Sequence, residues 1–264
     1  MNVPAFARLP LVFDAAPMLA EARAMGEAWI AHFNTGYHDG GWQGVALRST
    51  DGDARKLYAD SRSGGLKDTE FMARCPAVAA ALARIECPMR SVRLLRLAAG
   101  AVIREHSDDD LRFEAGEARL HIPLATNPGV EFYVEDVRVV MQPGECWYLN
   151  LSLSHRVRNR GTSERIHLVV DCIVNDWLAT QVAMDSPSHR DGGATSGQQA
   201  FAEFRERVLE DISLASQLRA IDDPRHFAAK AAELGAALGL SFDEDDVRVA
   251  MTRGRQSWQK QWIA

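Results

Sequence analysis

Along residues 17–33 the apolar positions Met18, Ala22, Met25, Trp29 and Phe33 recur in steps of three and four, which predicts one helical face set against a core. Pro76 marks the first turn of a second helix reaching Ile85. In that helix Val78, Leu82 and Ile85 are apolar, and Ala79, Ala80 and Ala81 favour the helical state. Between these helices, Tyr37 to Trp42 forms a turn into a strand through Val45, Leu47 and Arg48, closed by the turn Ser49-Thr50-Asp51-Gly52. The period then changes. From Ser91, Val92, Leu94 and Leu97 mark core positions of a strand. Between Arg119 and Val174 at least five strand candidates follow one another with turns and no helical period. Val130 to Val134 and Val137 to Met141 flank Glu135-Asp136 as a hairpin. Strands joined by turns rather than by helices predict an antiparallel double sheet. The expected fold is a mainly β jelly roll (double-stranded β-helix, cupin-like) with flanking N-terminal helices.

After Trp177 the pattern shifts again. Residues 185–197 are rich in Ser and Gly without apolar periodicity and are expected to form a linker. Beyond them Phe201, Phe204 and Val208 form one helical face, Ser213 to Arg219 a short helix, and Pro224 to Leu238 a third helix using Phe227, Ala231 and Leu234. Gly239 stops that helix, and Ser241 with Glu244 is expected to cap a last one carrying Val247 and Met251. The expected division is a jelly-roll domain over 1–180, a linker over 185–197 and a small all-α domain over 198–264. The polar, Gly-rich run from Lys56 to Asp68 is expected to be a loop, either mobile over a site or a plain solvated connection.

Composition narrows the function. A formal charge of -6 without a basic run excludes a nucleic-acid footprint. Cys75, Cys87, Cys146 and Cys172 show no paired spacing and are expected as reduced, buried thiols of a cytoplasmic protein. The apolar stretch Leu9 to Ala20 is broken by Asp14 and Pro17, so neither secretion nor a membrane span is expected.

The candidate chemistry lies between Gly100 and Asp171. In His106-Ser107-Asp108 an imidazole and a carboxylate stand two residues apart, and on an extended strand such positions share a face, so both can grip one ion. A turn at Pro143-Gly144 and the strand-like run from Cys146 to Leu151 bring the chain back toward His106, making His155 the candidate third ligand. Two histidines and one carboxylate on one side of a metal leave the other side open, as non-haem Fe(II) oxygenases require. Arg119-x-His121 and Arg165, ten residues beyond His155, place further polar groups in apolar strands, which is costly unless they converge on something polar. Arg93 and Arg96 point either at a ligand or at water. His32 and His38 have no partner at metal spacing and are expected at the surface or a helix end.

The succession His106-x-Asp108, Arg119-x-His121-x-Pro123-Leu124, Pro143-Gly144-Glu145-x-Trp147-Tyr148-Leu149-Asn150, His155-x-Val157-x-Asn159 and Arg165-x-His167-Leu168-Val169-x-Asp171 resembles the aspartyl/asparaginyl β-hydroxylase family of 2-oxoglutarate-dependent oxygenases. The resemblance, strongest to its bacterial proline-hydroxylase branch, spans about residues 37–177. It implies Fe(II) on His106, Asp108 and His155, the far carboxylate of the cosubstrate 2-oxoglutarate on Arg165, and Arg119 and His121 along that cosubstrate. It implies O2 as the oxidant, with succinate and CO2 as by-products. In the family the region of Trp42 and Arg48 edges the substrate, so both are substrate candidates, with plain packing the alternative for Trp42; Arg93, from its place on the strand, is the third candidate. The tail resembles the small helical leader domain of nitrogen-fixation-type peptide precursors through Leu209-Glu210-Asp211, Leu214, Leu218, Pro224-x-x-Phe227 and Glu233-Leu234-Gly235 with Gly239-Leu240-Ser241-Phe242.

The expectation is therefore a dioxygenase hydroxylating an unactivated C–H of a free L-amino acid. The complete triad His106, Asp108 and His155 and the Gly41-Trp42-x-x-Val45-x-Leu47-Arg48 stretch resemble the proline-hydroxylase branch, and that resemblance favours the free amino acid. Two alternatives stand beside it: an Asp, Asn or Pro residue in a peptide recruited by the tail, and a jelly-roll protein without oxygenase activity (a metal-dependent isomerase or a binding protein). The helical tail is expected either to pack as a cap or homodimer contact or to bind a peptide partner.

Overall fold

The computed structural model describes residues 3–38, 40–58, 65–108, 111–184, 195–219 and 221–252. The chain divides into two compact units, Met1–Gly192 and Gly193–Ala264.

In the first unit, the strands build two antiparallel sheets. Strands β1 Phe6–Val12, β2 Ile30–Ala31, β3 Trp42–Thr50, β4 Leu66–Asp68, β5 Met89–Leu97, β7 Glu117–Ala125, β10 Glu145–Leu149 and β12 Arg165–Ile173 make an eight-stranded sheet. Strands β6 Val102–His106, β8 Val130–Val134, β9 Val137–Arg138 and β11 His155–Asn159 make a four-stranded one. The large sheet runs β1-β10-β7-β12-β5-β3-β2 with β4 beside β3, and the small one β6-β11-β8-β9. From β5 to β12 the chain passes back and forth between the sheets, which is the winding of the jelly roll expected from the strand pattern.

The two-residue period of the strands sorts their side chains onto two faces. Ala118, Leu120, Ile122 and Leu124 of β7, Ile166, Leu168, Val170 and Cys172 of β12, and Val92 and Leu94 of β5 join one core. Helices α1 Ala15–Arg23, α2 Pro76–Leu82 and α3 Asp176–Ala183 cover it through Met18, Ala22, Val78, Leu82, Leu178 and Val182. The alternate positions (Arg93 and Leu95; Arg119 and His121; Arg165, His167, Val169 and Asp171) take the opposite face, toward the small sheet. There Leu95, Val169, Ile103, Phe132, Trp147 and Val157 form a second core. Strands of the large sheet thus carry charged side chains into a dry interior, where an unpaired one is expensive. All four cysteines are buried thiols.

Several local expectations shift. The apolar face from Met18 to Trp29 is buried, but the helix ends at Arg23, because Gly26 takes φ +54 and turns the chain toward β2; Phe33 is left 55% exposed. The run from Lys56 to Asp68 ends in β4, with Arg48 paired to Asp68 across β3 and β4; its residues 59–64 lie outside the described residues.

In the second unit, Thr195 caps helix α4 Ser196–Glu210 by a reciprocal box with Gln198, so the helix begins inside the stretch expected as linker; residues 185–194 lie outside the described residues. Helices α5 Ile212–Arg219 and α6 Pro224–Ala237 follow, and α7 covers 244–252. Phe201, Phe204, Leu218, Ala231, Phe242 and Val247 form the core of this unit. The cap of α7 is Asp243, not Ser241. Its carboxylate accepts from the N–H groups of Asp245 and Asp246 at 2.9 and 3.2 Å, a stronger match to the positive helix end than a hydroxyl two residues earlier. No helix among the described residues is long and apolar enough to cross a membrane.

Candidate functional site

His106 is the last residue of β6, and the antiparallel pairing of β11 with β6 sets His155 directly opposite it, the ring centroids 4.2 Å apart. Asp108 lies just past the strand. Its N–H donates to the Leu151 carbonyl at 2.8 Å, and its Oδ1 stands 3.8 Å from His106 Nε2. One ligand atom from each of His106, Asp108 and His155 lies within 4.8 Å of the others.

The hydrogen bonds decide the tautomers. His106 Nδ1 lies 2.7 Å from the Arg104 carbonyl and His155 Nδ1 3.0 Å from the Leu153 carbonyl. A carbonyl only accepts, so each Nδ1 carries the hydrogen and each Nε2 keeps its lone pair. Burial, followed by the neighbouring His106, lowers the pKa of His155 to about 4, so its ring is neutral at physiological pH. Two oriented imidazole lone pairs and a carboxylate on one side suit a divalent transition metal, and the backbone carbonyls supply the orienting partners that such ligands require.

Behind Asp108 runs a ladder of alternating charge. Arg119 on β7 donates from one terminal nitrogen to Asp108 Oδ2 at 2.7 Å and through Nε to Asp171 Oδ1 at 2.6 Å. Arg93 on β5 donates to Asp171 Oδ2 at 2.8 Å, and Ser91 also donates to that carboxylate. Adjacent strands β5, β12 and β7 therefore place Arg93, Asp171 and Arg119 side by side, with Asp108 at the end, and their formal charges cancel. Burial alone would raise the pKa of Asp171; Arg119 and Arg93 outweigh it and hold the carboxyl well below its usual range. Burial would likewise lower Arg119, but Asp171 and Asp108 outweigh it and raise the guanidinium above its ordinary value.

Arg165 has no such counter-ion among the described residues. It is 2% exposed, and burial, with no carboxylate offsetting it among the described residues, pushes its pKa down to about 9, leaving it a cation at neutral pH. Its Nη2 donates to His167 Nδ1 at 2.8 Å, His121 Nδ1 stands 3.2 Å from that same nitrogen, and the Phe132 ring centroid lies 5.6 Å from the guanidinium carbon. An inner cavity is lined by the three ligand candidates together with Arg119, His121, Arg165 and Trp42. Three residues on its wall carry buried polar atoms without a hydrogen-bond partner: Trp42 Nε1, His121 Nε2 and Arg165 Nε. Such atoms are rare in a folded interior, and their gathering here marks a place for a polar ligand.

An outer cavity shares Trp42, Leu95, Asp108 and Arg119 with the inner one and adds His32, Phe33, Tyr58, Arg93 and Asp171. His32, expected at the surface, is 6% exposed and stacks on Trp42 at 3.4 Å between centroids. Burial and then Arg93 lower its pKa to about 2. His38 is buried as well, its Nε2 3.2 Å from the His32 carbonyl. Of the sequence candidates, Arg48 stands apart: it pairs with Asp68 at 2.6 Å and lines neither cavity. His155 and Arg165 lie in different sheets and meet across the inner cavity. The residues that spacing did not single out are His32, His167 and Asp171. The last two sit at two-residue steps beyond Arg165, and that shared face was the available signal; for His32 the contact with Trp42 depends on the turn between them.

A family model described as aspartyl/asparaginyl beta-hydroxylase matches residues 17–174 and does not extend over the helical unit. L-proline cis-4-hydroxylase of Rhizobium meliloti (strain 1021) is 29% identical over 147 residues, 54% of this chain and 52% of the relative, so the chain spans about half the length of that curated protein. Among solved structures, a 2OG-Fe(II) oxygenase family oxidoreductase from Burkholderia pseudomallei is similar at 18% identity and a TM-score of 0.42, over 65% of this chain and 86% of that one. A prolyl-4-hydroxylase from Pseudomonas putida is similar at 14% identity and a TM-score of 0.39, over 65% of this chain and 94% of that one.

Proposed function

We propose, from the premise that this chain belongs to the aspartyl/asparaginyl β-hydroxylase family, that it is an Fe(II)- and 2-oxoglutarate-dependent dioxygenase hydroxylating a free, proline-like L-amino acid. The observation that carries this reading is the juxtaposition, in one cavity, of the His106, Asp108, His155 cluster with a buried Arg165 that has no counter-ion among the described residues. When bound, the iron and 2-oxoglutarate supply the oxidising chemistry, in which O2 is consumed, 2-oxoglutarate leaves as succinate and CO2, and a C–H becomes C–OH. The chain's own residues hold and shape.

His106 and His155 present their Nε2 lone pairs because Arg104 and Leu153 carbonyls hold the opposite nitrogens. Asp108 offers one oxygen to the metal while Arg119 occupies the other. Arg165 offers its planar fork to the far carboxylate of 2-oxoglutarate; charge-assisted hydrogen bonds of this type are worth roughly 1.5–3 kcal/mol each. Phe132, Leu151 and Val157 give the same cavity apolar walls.

The outer cavity suits a small amino acid. Arg93 lines it, and its Nε, without a hydrogen-bond partner among the described residues, offers a donor to an α-carboxylate. Trp42, Phe33 and Tyr58 line it with aromatic surface for an apolar ring or side chain. An α-carboxylate is present in a free amino acid and absent from an internal peptide residue, which favours the former. Supplying the twenty free amino acids, and short peptides containing Pro, Asp or Asn, with Fe(II), 2-oxoglutarate and air tests this reading by the mass gain of one oxygen atom. A gain confined to peptides would move the substrate to the alternative class; a binding protein or isomerase would consume no 2-oxoglutarate.

A further inference from the structure

Arg165 fixes the protonation pattern of the two histidines beside it. A guanidinium only donates, so the 2.8 Å contact from Arg165 Nη2 requires a lone pair on His167 Nδ1. His121 Nδ1 lies 3.2 Å from the same nitrogen, and two facing lone pairs would repel at that distance. His121 Nδ1 therefore carries a hydrogen and shares the His167 acceptor with Arg165. In a neutral ring that leaves His121 Nε2 as a bare acceptor, and this atom is buried without a partner on the wall of the inner cavity. A carboxylate offers acceptors only. The cavity thus has a cation calling for an anion and, on a neighbouring residue, a lone pair that repels one.

We propose that His167 is a positioning residue that accepts from Arg165 and His121 together, and that the tautomer it enforces makes the inner cavity take up 2-oxoglutarate with one proton, which comes to rest on His121 Nε2. The inference rests on the assignment of 2-oxoglutarate to this cavity. No bond between heavy atoms forms or breaks; a proton passes from solvent or buffer to the ring, and the resulting N–H donates to the bound anion.

The charged surroundings are consistent with this. Burial first, then Arg165, Arg119 and Arg93, hold the His121 ring neutral in the ligand-free protein, with Asp171 opposing. Arg165, His167 and Asp171 come from β12, Arg119 from the residue's own strand and Arg93 from β5, while β8 and β10 contribute Phe132 and Trp147, which carry no charge. The ligand candidates His106, Asp108 and His155 share the cavity. An incoming carboxylate neutralises Arg165, the first of the opposing cations, and offers an acceptor to the new N–H; both effects favour the protonated ring.

The test is calorimetric titration of 2-oxoglutarate into the full-length Mn(II)-loaded protein under nitrogen at pH 7.5, repeated in buffers of different ionisation enthalpy. The expected result is uptake of about one proton per ligand, with affinity falling up to about tenfold per pH unit on the alkaline side. His121→Asn is expected to abolish the uptake and flatten that pH dependence. His167→Leu is expected to weaken binding and reduce the proton number together, and His167→Asn, whose amide oxygen replaces the Nδ1 acceptor, to restore both. Were His167 merely filling space, both substitutions would shift the melting temperature without changing the proton number. Wild-type binding with no proton uptake would overturn the proposal and leave the cosubstrate assignment standing. Failure of 2-oxoglutarate to bind at all would overturn that assignment and the proposal with it.

Discussion

Arg119 grips the carboxylate of Asp108 at 2.7 Å while its Nε holds Asp171 at 2.6 Å, so one guanidinium ties the carboxylate beside His106 and His155 to a charge buried between two strands. Asp108 lies outside regular structure, and its other hydrogen bonds among the described residues are made by its backbone, to the Leu151 carbonyl and from the Leu111 N–H. The rigid member of this pair is Arg119, whose position on β7 is set by pairing with β10 and β12.

Replacing Arg119 by Ala is therefore expected to lower Mn(II) or Fe(II) affinity by roughly 10–100-fold, the usual cost of losing a partner that orients a metal ligand. Arg119→Lys is expected to recover little, because one ammonium cannot span Asp108 and Asp171 as the fork does. Anaerobic metal titration decides this; unchanged affinity in Arg119→Ala would mean that the backbone bonds to Leu151 and Leu111 suffice to orient Asp108.

Arg165→Ala is expected to raise the 2-oxoglutarate requirement by at least tenfold, since it removes hydrogen bonds worth roughly 1.5–3 kcal/mol each, and to leave metal affinity nearly unchanged. Arg165→Lys is expected to restore only part of the loss. Saturation of both variants at the wild-type 2-oxoglutarate concentration would place the anchor on another residue.

The buried histidines predict how the metal-free protein responds to acid. His32, with its pKa lowered to about 2, and His121 and His167, lowered well below the ordinary value, take up no proton in the folded state near pH 5. In the unfolded chain each protonates near pH 6.5. The unfolded state thus binds more protons as pH falls through 6.5, and stability drops, each residue contributing up to about 1.4 kcal/mol per pH unit below that value. Asp171, whose pKa is depressed, adds no slope here because its contribution is lost only below the unfolded carboxylate value. Melting temperatures measured from pH 7.5 to 5.0 are expected to fall steadily below 6.5; a flat profile would show that these rings are protonated in the fold.

The helical unit has its own apolar core around Phe201, Phe204 and Phe242, and every residue assigned to metal or cosubstrate lies before α3. A chain ending at Met184 is expected to bind Mn(II) and 2-oxoglutarate as the full chain does. Loss of either in a truncated chain that still melts cooperatively would tie the tail to the site.

The jelly roll, and the gathering of His106, Asp108 and His155 in one place, were legible because they depend on short-range periodicity. Strand alternation and turns defined the sheets, and His106, Asp108 and His155 lie at strand ends whose return path a single Pro-Gly turn made readable. The ladder was not legible, since Arg93, Asp171 and Arg119 become neighbours only through the strand order β5-β12-β7, which no local spacing encodes. His32 was hidden for the same reason: Gly26 ends the helix that the apolar period carried onward, and the chain then folds His32 onto Trp42. Arg48 was drawn to the site by its motif, while β4, lying at the end of a polar run, offered it Asp68 instead.

The most direct measurement is succinate release from 2-oxoglutarate by the full-length protein given Fe(II), air and the amino acid that gains oxygen in the substrate screen, run beside His155→Ala. The expected result is about one succinate per hydroxylated product in the wild type, with the variant losing both metal and turnover. Intact Fe(II) binding with no succinate formed from any amino acid or peptide would contradict the assignment of this site to oxygenase chemistry.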